Sequence, residues 1–469
     1  MTRAGDTLVL GVDIGTTSMK MGVFRIVDDA PKLIRQFSQE YDVSIYNDGL
    51  FGDIEQDKWR KAFAAGCKAM QDIVKDVEVI SLSGTTPGLT AMDRNGEALY
   101  PAILMLDQRS RKQAKHIIDT VGMERLLETT GNMPVAGGCS LASILWLKEN
   151  LPEVYEKTFK FGHSNTYIAR WLTGAPPRLA SADAGAGTFA IDPSSASLTA
   201  LYNTVRNDFG WNQGIAGALD IPLDRLPQIR PAYESVGRVT ASLCAQLGLA
   251  KEPVVLIGGN DAVLAAYSVG IKEPGEILNV NGTCEITLVC LDRCIASANY
   301  NIRAHVLPDR WLTLHVLNAG GKALDWFRDV FCSEIPAEQF HNEFLPAAID
   351  KWLERDNPVT YVPYLMGSRY SLEPLKAQLL GLTQQSTREQ ILAAIIRGLC
   401  AYQRNHLQEV GRQVQLEHTI HVTGGAVSPA LIRAKSRWMR PCRYTCEKQS
   451  SMRGAALLAL KYLQTGRVR

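Results

Sequence analysis

Two aspartates stand where acid–base and phosphate chemistry could be done. Asp261 follows the run Val254-Val255-Leu256-Ile257-Gly258-Gly259-Asn260, a short apolar segment broken by two glycines. Such a run reads as a central strand, and ligands of open α/β sheets gather beyond the carboxyl ends of strands. A carboxylate there can accept the proton of an attacking hydroxyl during phosphoryl transfer. The same residue also fits the N-cap of a helix over residues 262–269, worth ~1 kcal/mol, and one side chain can serve both roles. Asp13 ends the strand pattern of residues 7–13 and precedes Gly15-Thr16-Thr17. Glycine lets backbone N–H groups approach a phosphate, threonine hydroxyls add donors, and Asp13 is placed to hold Mg²⁺.

A second such turn follows about half a chain later. Residues 10–16 run Leu-Gly-Val-Asp-Ile-Gly-Thr and residues 277–283 run Ile-Leu-Asn-Val-Asn-Gly-Thr, each leading into another apolar strand, 19–27 and 285–291. Either copy alone also fits an ordinary hairpin turn. Together they predict a duplicated core with anion clamps at Gly15-Thr16-Thr17 and Gly282-Thr283. A third turn, Gly424-Gly425-Ala426, lies between a strand pattern at 419–422 and a helix. It fits a nucleotide at a helix N-terminus, and it fits a plain strand-to-helix turn equally well.

The elements that must hold these residues alternate. Residues 59–74 and 140–150 carry helical periodicity, residues 77–82 a buried-strand pattern, and residues 454–463 a closing helix. Strands alternating with helices predict an α/β fold. The tract 188–231 is richer in turn residues and reads as an insertion or loop-rich cap. The apolar run at 253–257 marks a new unit, which puts the boundary near residue 250 and the domains at 1–250 and 251–469.

Composition narrows the class. The chain has 469 residues, with 50 basic against 48 acidic side chains, so no basic footprint for nucleic acid is present. No apolar stretch reaches the ~18 residues of a membrane span. The short Leu-Val-Leu run near the start predicts no signal peptide, and the expected location is the cytoplasm. Ten scattered cysteines do not make a disulfide scaffold. Cys290/Cys294 and Cys442/Cys446 have half-site spacing for a metal, but no His pair completes either. Gly321-Lys322 lacks the rest of a Gly-x-x-x-x-Gly-Lys-Ser/Thr loop, and His-Glu-x-x-His and Gly-x-Ser-x-Gly motifs are missing.

In this order, from Leu8 to about Leu460, these residues resemble the FGGY carbohydrate kinases of the actin-like ATPase superfamily. Asp13 to Thr17 is similar to that family's first phosphate loop, Gly282-Thr283 to its second, and Gly424-Gly425-Ala426 to its adenine-side turn. Asp261, in Gly-Gly-Asn-Asp-Ala, takes the place of the family's catalytic base. Residues 138–150 resemble the first family signature with Ser143 in place of Lys, and residues 377–397 the second with Arg397 at its acidic position. Glu285 stands where the family usually has glycine.

The resemblance implies two actin-like, ribonuclease-H-like domains with the active site in the cleft between them, hinge closure, and ATP and Mg²⁺ as cofactors. The first domain would bind mainly sugar and the second mainly ATP. The implied reaction is ATP-dependent phosphorylation of a primary hydroxyl on a small sugar, ketose or polyol, with a second copy of the chain as a further partner. Within the family, residues 98–109 and 181–188 look most like xylulokinase-type members, which implies sugar contacts from Thr85, Asp107 and Arg109. Thr85-Thr86-Pro87 replaces the Gln-Met-His of those members, and Met105 replaces a Trp, so different hydroxyls would be read. The alternative within the same fold is a non-catalytic sensor of ATP and sugar.

Overall fold

A computed structural model describes residues 7–174, 189–371, 373, 375–447 and 451–466. The segment 181–188, which carried part of the xylulokinase likeness, lies outside the described residues. The chain divides into two compact units. The first comprises residues 1–270, 302–310 and 450–469, and the second residues 271–301 and 311–449.

The first unit is built on strands β1 (Leu8–Ile14), β2 (Ser18–Val27), β3 (Ala30–Glu40), β4 (Val79–Gly84) and β5 (Val254–Leu256). β3, β2 and β1 form an antiparallel meander, and β4 and then β5 add on in parallel beyond β1. β1 is central, so Val9, Leu10, Val12 and Ile14 have no exposed surface. Burying each such side chain contributes roughly 1.5–3 kcal/mol, which explains the unbroken apolar run. Helices α1 (Asp57–Ala69), α2 (Asp261–Ser268) and α5 (Ser451–Gly466) belong to the same unit. α5 packs close enough that a Cβ on Gly11 of β1 would lie 2.3 Å from the Met452 carbonyl oxygen.

The second unit repeats the order. Strands β6 (Ile277–Asn281), β7 (Glu285–Leu291) and β8 (Trp311–Leu317) are antiparallel, and β9 (Thr419–Thr423) and β10 (Arg443–Cys446) follow in parallel beyond β6. Its helices include α3 (Arg388–Gly411) and α4 (Pro429–Trp438). The duplication expected from two Gly-Thr turns is therefore a duplication of five strands in one topology.

Three expectations shift. The boundary expected near residue 250 falls at Gly270, because β5 hydrogen-bonds to β4 and so belongs to the first sheet. The helix expected over 59–74 breaks at Met70, whose backbone leaves the helical region, and resumes as a single turn over Gln71–Val74. The helix expected to begin after an Asp261 cap instead starts at Asp261. Asn260 is its cap, accepting the Val263 N–H with its side chain.

Candidate functional site

In the first unit, strand ends bring the two aspartates together. Parallel pairing of β1 with β4 sets Asp13 opposite Ser83, whose hydroxyl donates to Asp13 Oδ1 at 2.8 Å. After β5 the chain bends at Gly258, with φ +76°, and a Cβ there would sit 1.9 Å from the Leu82 carbonyl oxygen. Only glycine tolerates that crowding in a left-handed conformation. The bend lets Gly259 and Asn260 pair with Ser83 and Gly84, and so delivers Asp261 beside Thr85.

Neutral donors orient both Asp261 oxygens. Oδ1 accepts from Asn260 Nδ2 at 2.8 Å and from the Ala262 N–H at 2.7 Å, while Oδ2 accepts from the Thr85 hydroxyl at 3.1 Å. Behind them, Thr86 Oγ1 accepts from Asn260 Nδ2 at 2.9 Å and from the buried Arg303 guanidinium at 3.1 Å. Losing the cap role to Asn260 frees the Asp261 carboxylate for this geometry.

The electrostatics follow from burial. Asp13 and Asp261 keep a little exposed surface but are otherwise surrounded by protein. Desolvation and the charge of Asp261 push the Asp13 carboxyl up to about 6, against the pull of the Ser83 hydroxyl and Lys20. Desolvation also raises Asp261, opposed by the Arg303 charge and by the hydrogen bonds just described. Two carboxylates sharing a partly dry site invite a cation. Among the described residues, no three His, Cys, Asp or Glu side chains cluster as a metal site. The Asp13 and Asp261 carboxylates are a donor set of the kind that holds Mg²⁺, which usually takes one or two carboxylates together with phosphate oxygens and water.

The first glycine turn is already closed by its own backbone, since Gly15 N–H donates to the Ser18 carbonyl at 2.9 Å. That N–H is therefore not offered to an anion, and the donors left at the tip are Thr16 and Thr17. In the second unit, Gly282 N–H likewise donates to the Cys284 carbonyl at 2.9 Å, leaving exposed Thr283. Backbone contacts hold this turn against its neighbours. Gly321 N–H donates to the Gly282 carbonyl at 2.9 Å and Ala426 N–H to the Asn281 carbonyl at 3.1 Å. Gly424, at φ +108°, leaves room for no Cβ, which would lie 2.0 Å from the Asn281 carbonyl oxygen. Gly320, Gly321, Asn281 and Ala426 border a cavity whose walls include Leu324, Leu431, Glu285 and Lys435.

Asp107 and Arg109 sit in a different cluster. Arg109 donates to Asp107 Oδ2 and to Asp53 Oδ2, each at 2.8 Å, and its guanidinium lies 4.2 Å from the centre of the Phe51 ring. Asp107 also accepts the Gly52 and Arg109 N–H groups. The side chains of Asp107 and Arg109 have no exposed surface. The contacts with sugar expected of them are therefore not open in this arrangement, where they face each other.

Sequence reasoning missed Ser83, Asn260, Thr86, Arg303 and Lys435 as parts of these sites. For Ser83 and Asn260 a signal existed, since each adjoins a named turn or strand end. For Arg303 and Lys435 none did. The half-site cysteines hold no metal cluster among the described residues, and all ten are free thiols. No helix among the described residues is long and apolar enough to cross a membrane.

With this geometry in view, known proteins are informative. The chain is 25% identical over 439 residues to a xylulose kinase of Lactococcus lactis subsp. lactis, covering 92% of this chain and 82% of that one. It is 26% identical over 404 residues to a gluconokinase of Bacillus subtilis, covering 83% and 74%. The fold superimposes on a gluconate kinase from Lactobacillus acidophilus with a TM-score of 0.86 at 19% identity, over 98% of this chain and 90% of that one. The N-terminal domain of the FGGY family of carbohydrate kinases matches residues 8–268, and its C-terminal domain matches residues 278–461. A duplicated sheet carrying two carboxylates at its first copy's strand ends, matched end to end in this way, belongs to the FGGY family of carbohydrate kinases.

Proposed function

We propose that the chain transfers the terminal phosphoryl group of ATP to a primary hydroxyl of a small sugar, ketose or polyol, with a pentulose the favoured class. The observation that carries this is Asp261, a carboxylate with both oxygens oriented and its proton affinity raised, beside a second carboxylate at the end of β1. Asp261 takes the hydroxyl proton through an oxygen held by Thr85 or Asn260, and its raised affinity suits a base that must accept a proton. Thr85 then keeps the carboxylate aimed at the acceptor and reaches toward the sugar itself. Asp107 and Arg109 support the sugar side as a rigid buried cluster behind it.

Asp13 would hold Mg²⁺, which when bound neutralises charge on the phosphate oxygens. The hydroxyls of Thr16, Thr17 and Thr283 supply donors to phosphate at their two turns. Gly424, Gly425 and Ala426 hold the nucleotide at the start of α4. Most of the rate gain in such a reaction comes from positioning and charge stabilisation.

The relatives named for xylulose and for gluconate define the panel that tests this reading. ADP release with Mg-ATP is measured across ketoses, aldonic acids, polyols and deoxysugars, with Asp261→Asn alongside. One sugar should raise ADP release in the parent and not in the variant. Silence across the panel from protein that binds ATP would favour a non-catalytic sensor, and full turnover by Asp261→Asn would remove Asp261 from its role.

A further inference from the structure

The second unit buries an ion pair at the wall of its cavity. Lys435 Nζ lies 2.5 Å from Glu285 Oε1, and each side chain is only 6% exposed. Glu285 Oε1 also accepts from Asn279 Nδ2 at 2.9 Å, and Asn279 Oδ1 in turn accepts from Asn281 Nδ2 at 2.9 Å. Replacing a buried ion pair by apolar side chains is often neutral or stabilising, so stability alone gives these charges little reason to be here.

What the pair does is join three backbone segments. Glu285 opens β7 directly after the Gly282–Thr283 turn, and Lys435 sits on α4, the helix that follows Gly424–Ala426. Between them, the Asn281 carbonyl accepts the Ala426 N–H. Gly320 is the third segment, where an added Cβ would lie 2.8 Å from the Glu285 Cβ. Glu285 thus adjoins Gly320 and the 282–283 turn, and its ion pair ties both to α4.

We propose that Lys435, acting through Glu285, is a positioning residue for the nucleotide, fixing the spacing between the Gly282–Thr283 and Gly424–Ala426 turns. The inference rests on the reading above, in which both turns face the nucleotide.

The test is titration calorimetry of the full chain with MgADP and MgATP, well below the melting temperature, with melting curves recorded beside it. Lys435→Met and Glu285→Gln should weaken MgADP binding about tenfold or more, and Lys435→Arg, which keeps the charge, should recover most of that loss. The double variant Glu285→Leu/Lys435→Met should melt no lower than the parent yet still bind MgADP about tenfold more weakly. If a single variant does not fold, the double variant decides. MgADP binding at the parent's strength in Lys435→Met or in the double variant would overturn the inference and leave the proposed function standing. A parent that binds neither nucleotide would overturn both.

Discussion

Asp53 and Asp107 clasp Arg109 from two sides, each at 2.8 Å, in a cluster whose guanidinium has no exposed surface. Asp13 and Asp261, in the same unit, face each other's charge and are bonded by neutral donors, Ser83, Thr85, Asn260 and the Ala262 N–H. Arg303 acts on Asp261 through its charge, and it donates hydrogen bonds to Thr86 and Ser194. The first cluster sets its one guanidinium in direct contact with both carboxylates and is sealed. The second is bonded by neutral donors and keeps a surface. Direct ion pairing without exposed surface fits a structural member, whereas carboxylates held by neutral donors and still partly exposed fit a place completed from outside.

The sharpest way to break this comparison is Asp261→Asn. Turnover of the responsive sugar should fall by about 10²–10⁴, the usual contribution of a general base, while the melting temperature holds or rises. A collapsed melting temperature would instead place Asp261 with the structural acids. Next comes Arg109→Met, which strands Asp53 and Asp107 in a buried site. Urea unfolding should show a loss of about 3–5 kcal/mol, the typical effect of removing one partner from a buried ion pair. Unchanged unfolding there would dissolve the contrast.

Thr85→Val removes one donor to Asp261 at nearly constant volume, and turnover should drop about tenfold with the fold intact, as fits a hydrogen bond to a charged group. The smallest effect on stability is expected from Asp13→Asn. The folded chain holds the Asp13 proton up to about pH 6, against 3.8 for an ordinary aspartate, so folding is penalised increasingly as pH rises through that window. The variant should therefore melt a few degrees higher than the parent at pH 8, with the gain shrinking to nothing by pH 4. A gain that grew toward acid pH would contradict the sign.

Much of this was legible in the residues because it is local. The unbroken run at Leu8–Ile14, the Gly-Thr turns and the apolar run before Gly258 each carry their meaning within a few positions. Asn260 and Asp261 show the limit of local reading. Both are good helix caps, and which one caps depends on the bend at Gly258 and the pairing with Ser83 and Gly84. Arg303 meets Thr86 across 217 positions and Lys435 meets Glu285 across 150. No periodicity records such a meeting, since it arises only when sheets close and helices pack. The boundary moved for the same reason, because β5 joins a strand more than a hundred residues before it.

The self-closed hairpin turns have a thermodynamic consequence. Gly15 and Gly282 each use their N–H within the turn, to the Ser18 and Cys284 carbonyls, so both loops are ordered as soon as their hairpins form. On the proposed reading, an anion arriving at Thr16, Thr17 or Thr283 would meet a pre-organised surface and would not have to freeze a mobile segment. The entropy of ordering those residues is then part of the folding free energy rather than of the binding constant, and affinity at these turns should depend little on temperature-driven loosening of the loops.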